Sequence, residues 1–253
     1  MKNIFITGAG SGMGRATAIL LSENPDYRII CIGRNLEKLK STHALMQHQQ
    51  SHLLWDMDVR DHARWQQLLA DHSDLTDAYA VFANAGVGGE NHFGSADRWD
   101  EIISTNLTGT YLTIEYILPL LKNSPAPFKH IVITSSCLAR FGVPRYTAYC
   151  TAKTGLLGLT KSLAVELASE KILVNAICPG WVETDMAIAG IQFLADNNGN
   201  ALDQEIALQK SFVPLNRFSD VNEIAQFVRF LISSEQNSIT GQGLDINNGS
   251  FML

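Results

Sequence analysis

The runs Ile131-Val132-Ile133-Thr134-Ser135-Ser136 and Thr147-Ala148-Tyr149-Cys150-Thr151-Ala152-Lys153 decide how this chain folds. The first is short, apolar and largely β-branched, the pattern of a buried strand. The second opens a stretch of helical period that continues to about residue 168, and the two serines lie in the turn between strand and helix. A strand buried on both faces and followed by a helix is the repeating unit of a parallel sheet.

The rest of the chain repeats that unit. Patterning predicts further strands over 3–7, 28–32, 52–55, 78–82, 172–177 and 243–246, and helices over 12–23, 35–49, 61–70, 97–122 and 220–232. Alternation this regular implies a doubly wound, Rossmann-like α/β sheet of about seven parallel strands with helices on both faces. No linker, repeat or low-complexity tract interrupts it, so residues 1–253 are read as a single domain. The segment 185–213, with Asn197-Asn198-Gly199-Asn200 in its middle, reads as irregular chain beside a strand end, a mobile lid over substrate.

Composition narrows the function. Of 253 residues, 46% are hydrophobic and 17% charged, enough for a large core, and the net charge of −6 offers no basic footprint for nucleic acid. Cys31, Cys137, Cys150 and Cys178 form no C-x-x-C pair, and the seven histidines show no metal-ligand spacing, so a reduced, cytoplasmic protein without a metal site is expected. The apolar strand at the amino terminus meets Gly8 before a signal-peptide core forms, and no apolar run approaches the ~18 residues that span a bilayer.

Chemistry is concentrated at the opening pair of elements. Tyr149 and Lys153 stand four residues apart, one helical turn on a common face. A phenol ionises near pH ~10, and a cation held close lowers that value, so Lys153 is placed to activate Tyr149. Ser136 precedes Tyr149 by thirteen residues, enough chain to bring its hydroxyl beside the phenol, with Ser135 as the competing choice.

Ligands of such sheets bind beyond the carboxyl ends of the strands. After the first strand come Thr7-Gly8-Ala9-Gly10-Ser11-Gly12-Met13-Gly14, a turn whose backbone can approach a pyrophosphate at a helix N-terminus. The second strand ends in Gly33-Arg34 with no acid, which favours a ribose 2′-phosphate, hence NADP(H) over NAD(H), unless Arg34 is only a solvated arginine. Asp58, followed by Val59, is placed to accept from an adenine amino group, and Asn84-Ala85-Gly86 to pass close to a ribose or nicotinamide. Asn106, polar within a helix, either bonds the backbone or holds a water chain. Pro179-Gly180-Trp181-Val182-Glu183-Thr184 turns the chain where a backbone N–H and the Thr184 hydroxyl could bind a carboxamide.

These residues together resemble the short-chain dehydrogenase/reductases from end to end. The resemblance is carried by Thr7-Gly8-x-x-x-Gly12-x-Gly14, Asn84-Ala85-Gly86, Asn106, Ser136, Tyr149-x-x-x-Lys153, Pro179-Gly180-x-x-x-Thr184 and Ile239-Thr240-Gly241-Gln242. It implies a 3-oxoacyl-thioester reductase-like oxidoreductase that interconverts a carbonyl and a secondary alcohol, the CH–OH donor. Tyr149 would be the acid/base, Ser136 the partner of the carbonyl oxygen, Lys153 the ribose-holding cation and Asn106 the support of a proton-relay water. The cofactor set it implies is Gly8, Ser11, Gly12, Met13, Gly14, Arg34, Asp58, Val59, Asn84, Ala85, Gly86, Tyr149, Lys153, Pro179, Gly180, Val182 and Thr184. A homotetramer or dimer is implied by chain length within the family. Ala83 and Asn247-Asn248-Gly249 depart from the family's usual residues, outside the catalytic set.

Three other readings compete: an NAD-dependent alcohol dehydrogenase; a regulatory protein that keeps a nucleotide site without turnover; and an epimerase or dehydratase on sugar nucleotides, for which little chain remains after the last strand. For the substrate, Trp181, Met186, Ile188, Ile191, Phe193 and Leu194 suggest an apolar or mixed pocket, and Arg140 and Arg145 an attraction for an anionic substrate or carrier, unless both arginines merely face solvent.

Overall fold

The computed structural model describes residues 1–95 and 97–252. Within them seven parallel strands form one sheet: β1 Lys2–Thr7, β2 Tyr27–Gly33, β3 Leu53–Asp56, β4 Ala80–Ala83, β5 Lys129–Thr134, β6 Ile172–Pro179 and β7 Gly243–Ile246. Their order across the sheet is β3-β2-β1-β4-β5-β6-β7, so the winding reverses between β1 and β4. That reversal opens a crevice above the carboxyl ends of the two strands.

Period-two alternation sends strand side chains to two cores. Phe5, Ile30, Ile32, Val81, Ile131 and Ile133 face one layer, made by α3 (His62–Asp71), α5 (Gly109–Asn123) and α6 (Thr147–Glu166). Ile4, Ile6, Ile29, Cys31, Phe82 and Val132 face the other, made by α1 (Gly12–Leu21), α2 (Leu36–His43) and α9 (Val221–Leu231). Every residue of β5 is buried, and its centre, Ile131-Val132-Ile133, is an unbroken apolar run.

Three segments differ from the patterning. The helix expected over 35–49 ends at His43, where the chain turns to bury Met46 with its sulfur 3.8 Å from the Cys31 thiol. The helix expected over 97–122 is α4 (Trp99–Ile103), a wide π turn over Ser104–Thr108, and then α5. Gly109 packs so tightly on Val59 that a β-carbon would stand 2.6 Å from its methyl group. The segment expected to be irregular is two helices, α7 (Asp185–Asn198) and α8 (Leu202–Ser211), and Gly199, at φ +70, terminates the first.

Candidate active site

Sequence-predicted residues converge at the crevice between β1 and β4. Thr7 closes β1, and its hydroxyl oxygen accepts from the N–H groups of Asn84 (2.9 Å) and Ala85 (3.0 Å). The Asn84 amide returns a bond to Thr7 O at 3.1 Å, while its Oδ1 accepts from the Thr134 hydroxyl at 3.1 Å. Asn84 therefore fastens the ends of β1, β4 and β5 together; its side chain is structural here, and the small Ala85 and Gly86 line the cleft.

The glycine turn leaves no room for side chains. Gly8 and Gly12 have φ of +70° and +51°, and a β-carbon at Gly14 would lie 2.4 Å from the Gly8 carbonyl oxygen. Ser11 stands at the cap position of α1 with its side chain bonding none of the helix amides, leaving the first-turn N–H groups and their positive dipole open to an anion. The adjoining cleft, ≈ 350 Å³, is lined by Gly8, Gly10, Ser11, Gly33, Arg34, Asn35, Lys38, Met57, Asp58, Val59, Ala85, Gly86 and Thr105. A backbone cradle and an uncapped helix end fit the phosphates of a dinucleotide.

Arg34 is well exposed and reaches within 4.0 Å of Asp58, but the closer partner of Asp58 is Arg60, at 2.9 and 2.8 Å. Those hydrogen bonds hold the Asp58 carboxyl below its usual range, so its capacity to accept from a base is already partly used. Lys38 lines the cleft beside Arg34, a neighbour that sequence spacing did not single out. A further hollow of ≈ 410 Å³, lined by His62, Leu69, Tyr116 and Pro119, lies between α3 and α5, away from the strand ends.

On α6, Lys153 is 4% exposed and donates from Nζ to the Thr134 carbonyl at 2.7 Å, with its ammonium 5.5 Å from the centre of the Tyr149 ring. Burial lowers the Lys153 pKa to about 8. Burial also pushes the Tyr149 phenol up to about 12, opposed by the nearby Ser136 hydroxyl. In the chain by itself burial thus shifts the phenol in the direction opposite to the one expected from Lys153. Ser135 and Ser136 separate cleanly: the Ser135 hydroxyl donates to Lys153 O at 2.8 Å and fixes the helix, while Ser136 faces the phenol and accepts from the Leu138 N–H at 3.1 Å.

Asn106 sits in the π turn, fully buried, and clasps one residue of the β4–α4 connection in both senses: its Oδ1 accepts from Val87 N at 2.7 Å and its Nδ2 donates to Val87 O at 2.9 Å. Its carbonyl accepts from the Thr110 hydroxyl at 2.8 Å. A β-carbon on Gly86 would meet Asn106 Oδ1 at 3.0 Å and Lys153 Nζ at 3.8 Å, which places these three side by side.

Across the cleft, Gly180 lies against the Asn247 backbone, and the Thr184 methyl would stand 3.1 Å from a β-carbon on Gly12. The Thr184 hydroxyl caps α7, accepting from Ala187 N at 3.2 Å and donating to Val182 O at 3.2 Å, so its freedom to bind a carboxamide is reduced. Trp181 packs on Phe218, and Ile191 of α7 is fully buried, whereas Met186 is half-exposed and touches Gly88. Arg140 turns to Asp245 (3.3 Å) and Gly243 O (2.8 Å), and the half-exposed Arg145 lies 3.7 Å from the Glu90 carboxylate.

Sequence reasoning missed Lys38, Thr134 and Asn91. Thr134 acts through its carbonyl, which no side-chain pattern reveals, and Asn91 acts on a helix from a distant loop. Among the described residues no cluster of metal ligands occurs, and no helix is long and apolar enough to cross a membrane.

A family model described as Enoyl-(Acyl carrier protein) reductase matches residues 8–250. The 3-oxoacyl-[acyl-carrier-protein] reductase FabG of Aquifex aeolicus (strain VF5) is 32% identical over 263 residues, covering 99% of this chain and 97% of that one. Among solved structures, a single-residue variant of actinorhodin polyketide ketoreductase with NADPH superposes with TM-score 0.91 at 28% identity, covering 98% and 97% of the two chains. The carveol dehydrogenase from Mycobacterium avium in complex with NAD gives TM-score 0.90 at 28% identity with the same coverage.

Proposed function

The chain belongs to the short-chain dehydrogenase/reductases, oxidoreductases that use a nicotinamide cofactor, and from that premise we propose that it is an NADP(H)-dependent carbonyl reductase. The observation that carries this reading is the meeting of Tyr149, Ser136, Lys153 and Asn106 beside the glycine cradle, at the point where the sheet reverses. The residues proposed to hold the dinucleotide are Gly8, Ser11, Gly12, Met13 and Gly14 at its phosphates, Arg34 with Lys38 at a 2′-phosphate, Asp58 and Val59 near the base, and Ala85, Gly86, Lys153, Pro179, Gly180, Val182 and Thr184 along its nicotinamide half. When bound, that group supplies the hydride.

The remaining chemistry belongs to the chain. Tyr149 holds its proton tightly and delivers it to the substrate's carbonyl oxygen; Ser136 donates to the same oxygen and favours the charge that develops there. Lys153, fixed by the Thr134 carbonyl, puts a cation beside the phenol and favours the phenolate left after transfer. Asn106 keeps Val87 in place beside Gly86 along the cleft, and its part in the proposal is to support a water that relays protons to Lys153.

Two cations without an acid at the end of β2 support NADP(H) over NAD(H). The similar FabG is named for reducing a 3-oxoacyl group, which favours reduction as the working direction here. The engaged Arg140 and Arg145 support a neutral ketone at least as well as an anionic carrier. Four free thiols agree with a reducing cytoplasm, and a homo-oligomer, tetramer or dimer, is part of the proposal.

The test is a panel of 3-oxoacyl thioesters and neutral ketones, each followed by absorbance with NADPH and with NADH. At least one ketone should be reduced, with kcat/KM for NADPH about ten-fold or more above that for NADH, the ratio that one tenfold step in affinity represents. Tyr149→Phe should lower kcat by ~10²-fold or more, the contribution of positioned proton transfer, while NADPH still binds. Full turnover by Tyr149→Phe, or no turnover of any ketone, would remove the proposal and leave a nucleotide-binding protein without catalysis.

A further inference from the structure

Helix α6 opens without a cap of its own. At its cap position the Tyr146 side chain bonds none of its amides, its carbonyl alone accepting from Cys150 N at 2.8 Å, and the side-chain acceptor comes instead from the β4–α4 connection. Asn91, 4% exposed, accepts on Oδ1 from the Ala148 N–H at 2.9 Å and from the Thr147 hydroxyl at 3.1 Å. Its own N–H donates to Arg145 O at 2.8 Å, and its Nδ2 donates to Asp97 Oδ1 at 3.1 Å. Asp97 in turn accepts from Trp99 N at 3.0 Å at the start of α4.

We propose that Asn91 is a positioning residue for catalysis, setting the first turn of α6, and with it the Tyr149 phenol, from the loop that borders the substrate cleft. The first amides of a helix need acceptors, and an asparagine Oδ1 is among the best of them. Here that acceptor arrives from far along the chain, and Tyr149 is the residue next to the bonded amide. Any shift of the loop is therefore carried into the phenol.

Two further contacts point the same way. Arg145, just before the helix, stands at φ +68, a conformation that non-glycine residues avoid, and is held there by the Asn91 N–H and by Glu90 at 3.7 Å. Four residues before Asn91 in the same loop, Asn106 clasps Val87, and Gly88 lies against Met186 of α7. One connection thus touches the π turn, the lid and the opening of α6.

This inference rests on Tyr149 as proton donor, and the experiment separates the two. Asn91→Ala, Tyr149→Phe and the exchange Asn91→Asp with Asp97→Asn are compared in the full chain, using NADPH and the panel ketone reduced fastest, with amide hydrogen exchange over 147–153. Misplacing a reacting group by ~1 Å costs on the order of 10²-fold, so Asn91→Ala should lower kcat roughly 10- to 100-fold, change KM for NADPH less than about twofold and speed exchange at Ala148. The exchanged pair keeps an acceptor at 91 and a donor at 97, and should regain most of both. Should Asn91→Ala not fold, Asn91→Ser, with a shorter acceptor, should show the same losses in milder form. A kcat within about twofold of the parent with unchanged exchange, or losses that the exchanged pair does not recover, would overturn the positioning role. Turnover retained by Tyr149→Phe would instead overturn the catalytic reading beneath it.

Discussion

Burying Lys153 removes its ammonium from water, and a single carbonyl, Thr134 O at 2.7 Å, is the hydrogen-bond acceptor that replaces the solvent. Burial dominates, and the ammonium loses its proton near pH 8, while Tyr149, pushed up to about 12, keeps its own far beyond that point. For reduction the donor is therefore protonated throughout the working range, and the cation beside it is the group that titrates first. The profile of kcat/KM, which reports the free enzyme, should be level from about pH 6 to about 7.5 and fall through a single limb near about 8. A level profile to about pH 10 would show that the charge on Lys153 does not limit the reaction.

At the scale of elements, α7 and α8 show where side-chain pattern gives out. Asn197-Asn198-Gly199-Asn200 looks like a disordered tract, yet Gly199 is a helix terminator and both asparagine amides flanking it serve one buried carboxylate. Glu205, fully buried, accepts from Asn198 Nδ2 (3.1 Å), Asn200 Nδ2 (2.9 Å) and Gln209 Nε2 (2.8 Å), so the two helices are locked as a hairpin. Glu205→Ala should release that hairpin first, and limited proteolysis should then cut within 185–211 before any strand of the sheet. Resistance equal to the parent would show that packing alone holds the two helices together. By contrast, the strands, the glycine turn and the Tyr149 helix were legible because period-two burial and backbone crowding act locally. The Asp245 partner of Arg140 was not legible because it is brought near only by β7 pairing with β6, and the π turn was unreadable because its buried Asn106 is satisfied by Val87, a partner nineteen residues away.

At the scale of the molecule, acid should loosen this fold through histidine before carboxylates matter. His130 lies near the start of β5, on the side of the sheet that α9 covers, 1% exposed and edge-on to Tyr79 at 5.2 Å, and burial lowers its pKa to about 4. His52 is shifted the same way by burial; its Nδ1 accepts from Ile29 N at 3.1 Å, so a proton there would break a bond that holds β2. Both are neutral when folded and take protons near pH ~6.5 when unfolded, so stability is complete above about 6.5 and declines as pH falls toward about 4. For His130 the loss amounts to about 3 kcal/mol at ~1.36 kcal/mol per pH unit, a large part of the roughly 5–15 kcal/mol typical of a folded chain. The carboxylates act lower: Glu223, held at about 2 chiefly by hydrogen bonds from Arg217, loses its contribution only as pH falls from 4.5 toward 2. The midpoint of thermal unfolding should therefore drop between about pH 6.5 and about 4.5, and His130→Phe, which fills similar space without a proton site, should flatten that drop. An unfolding midpoint that stays constant to about pH 4.5 in the parent chain would show that the sheet opens around His130 without loss of the fold.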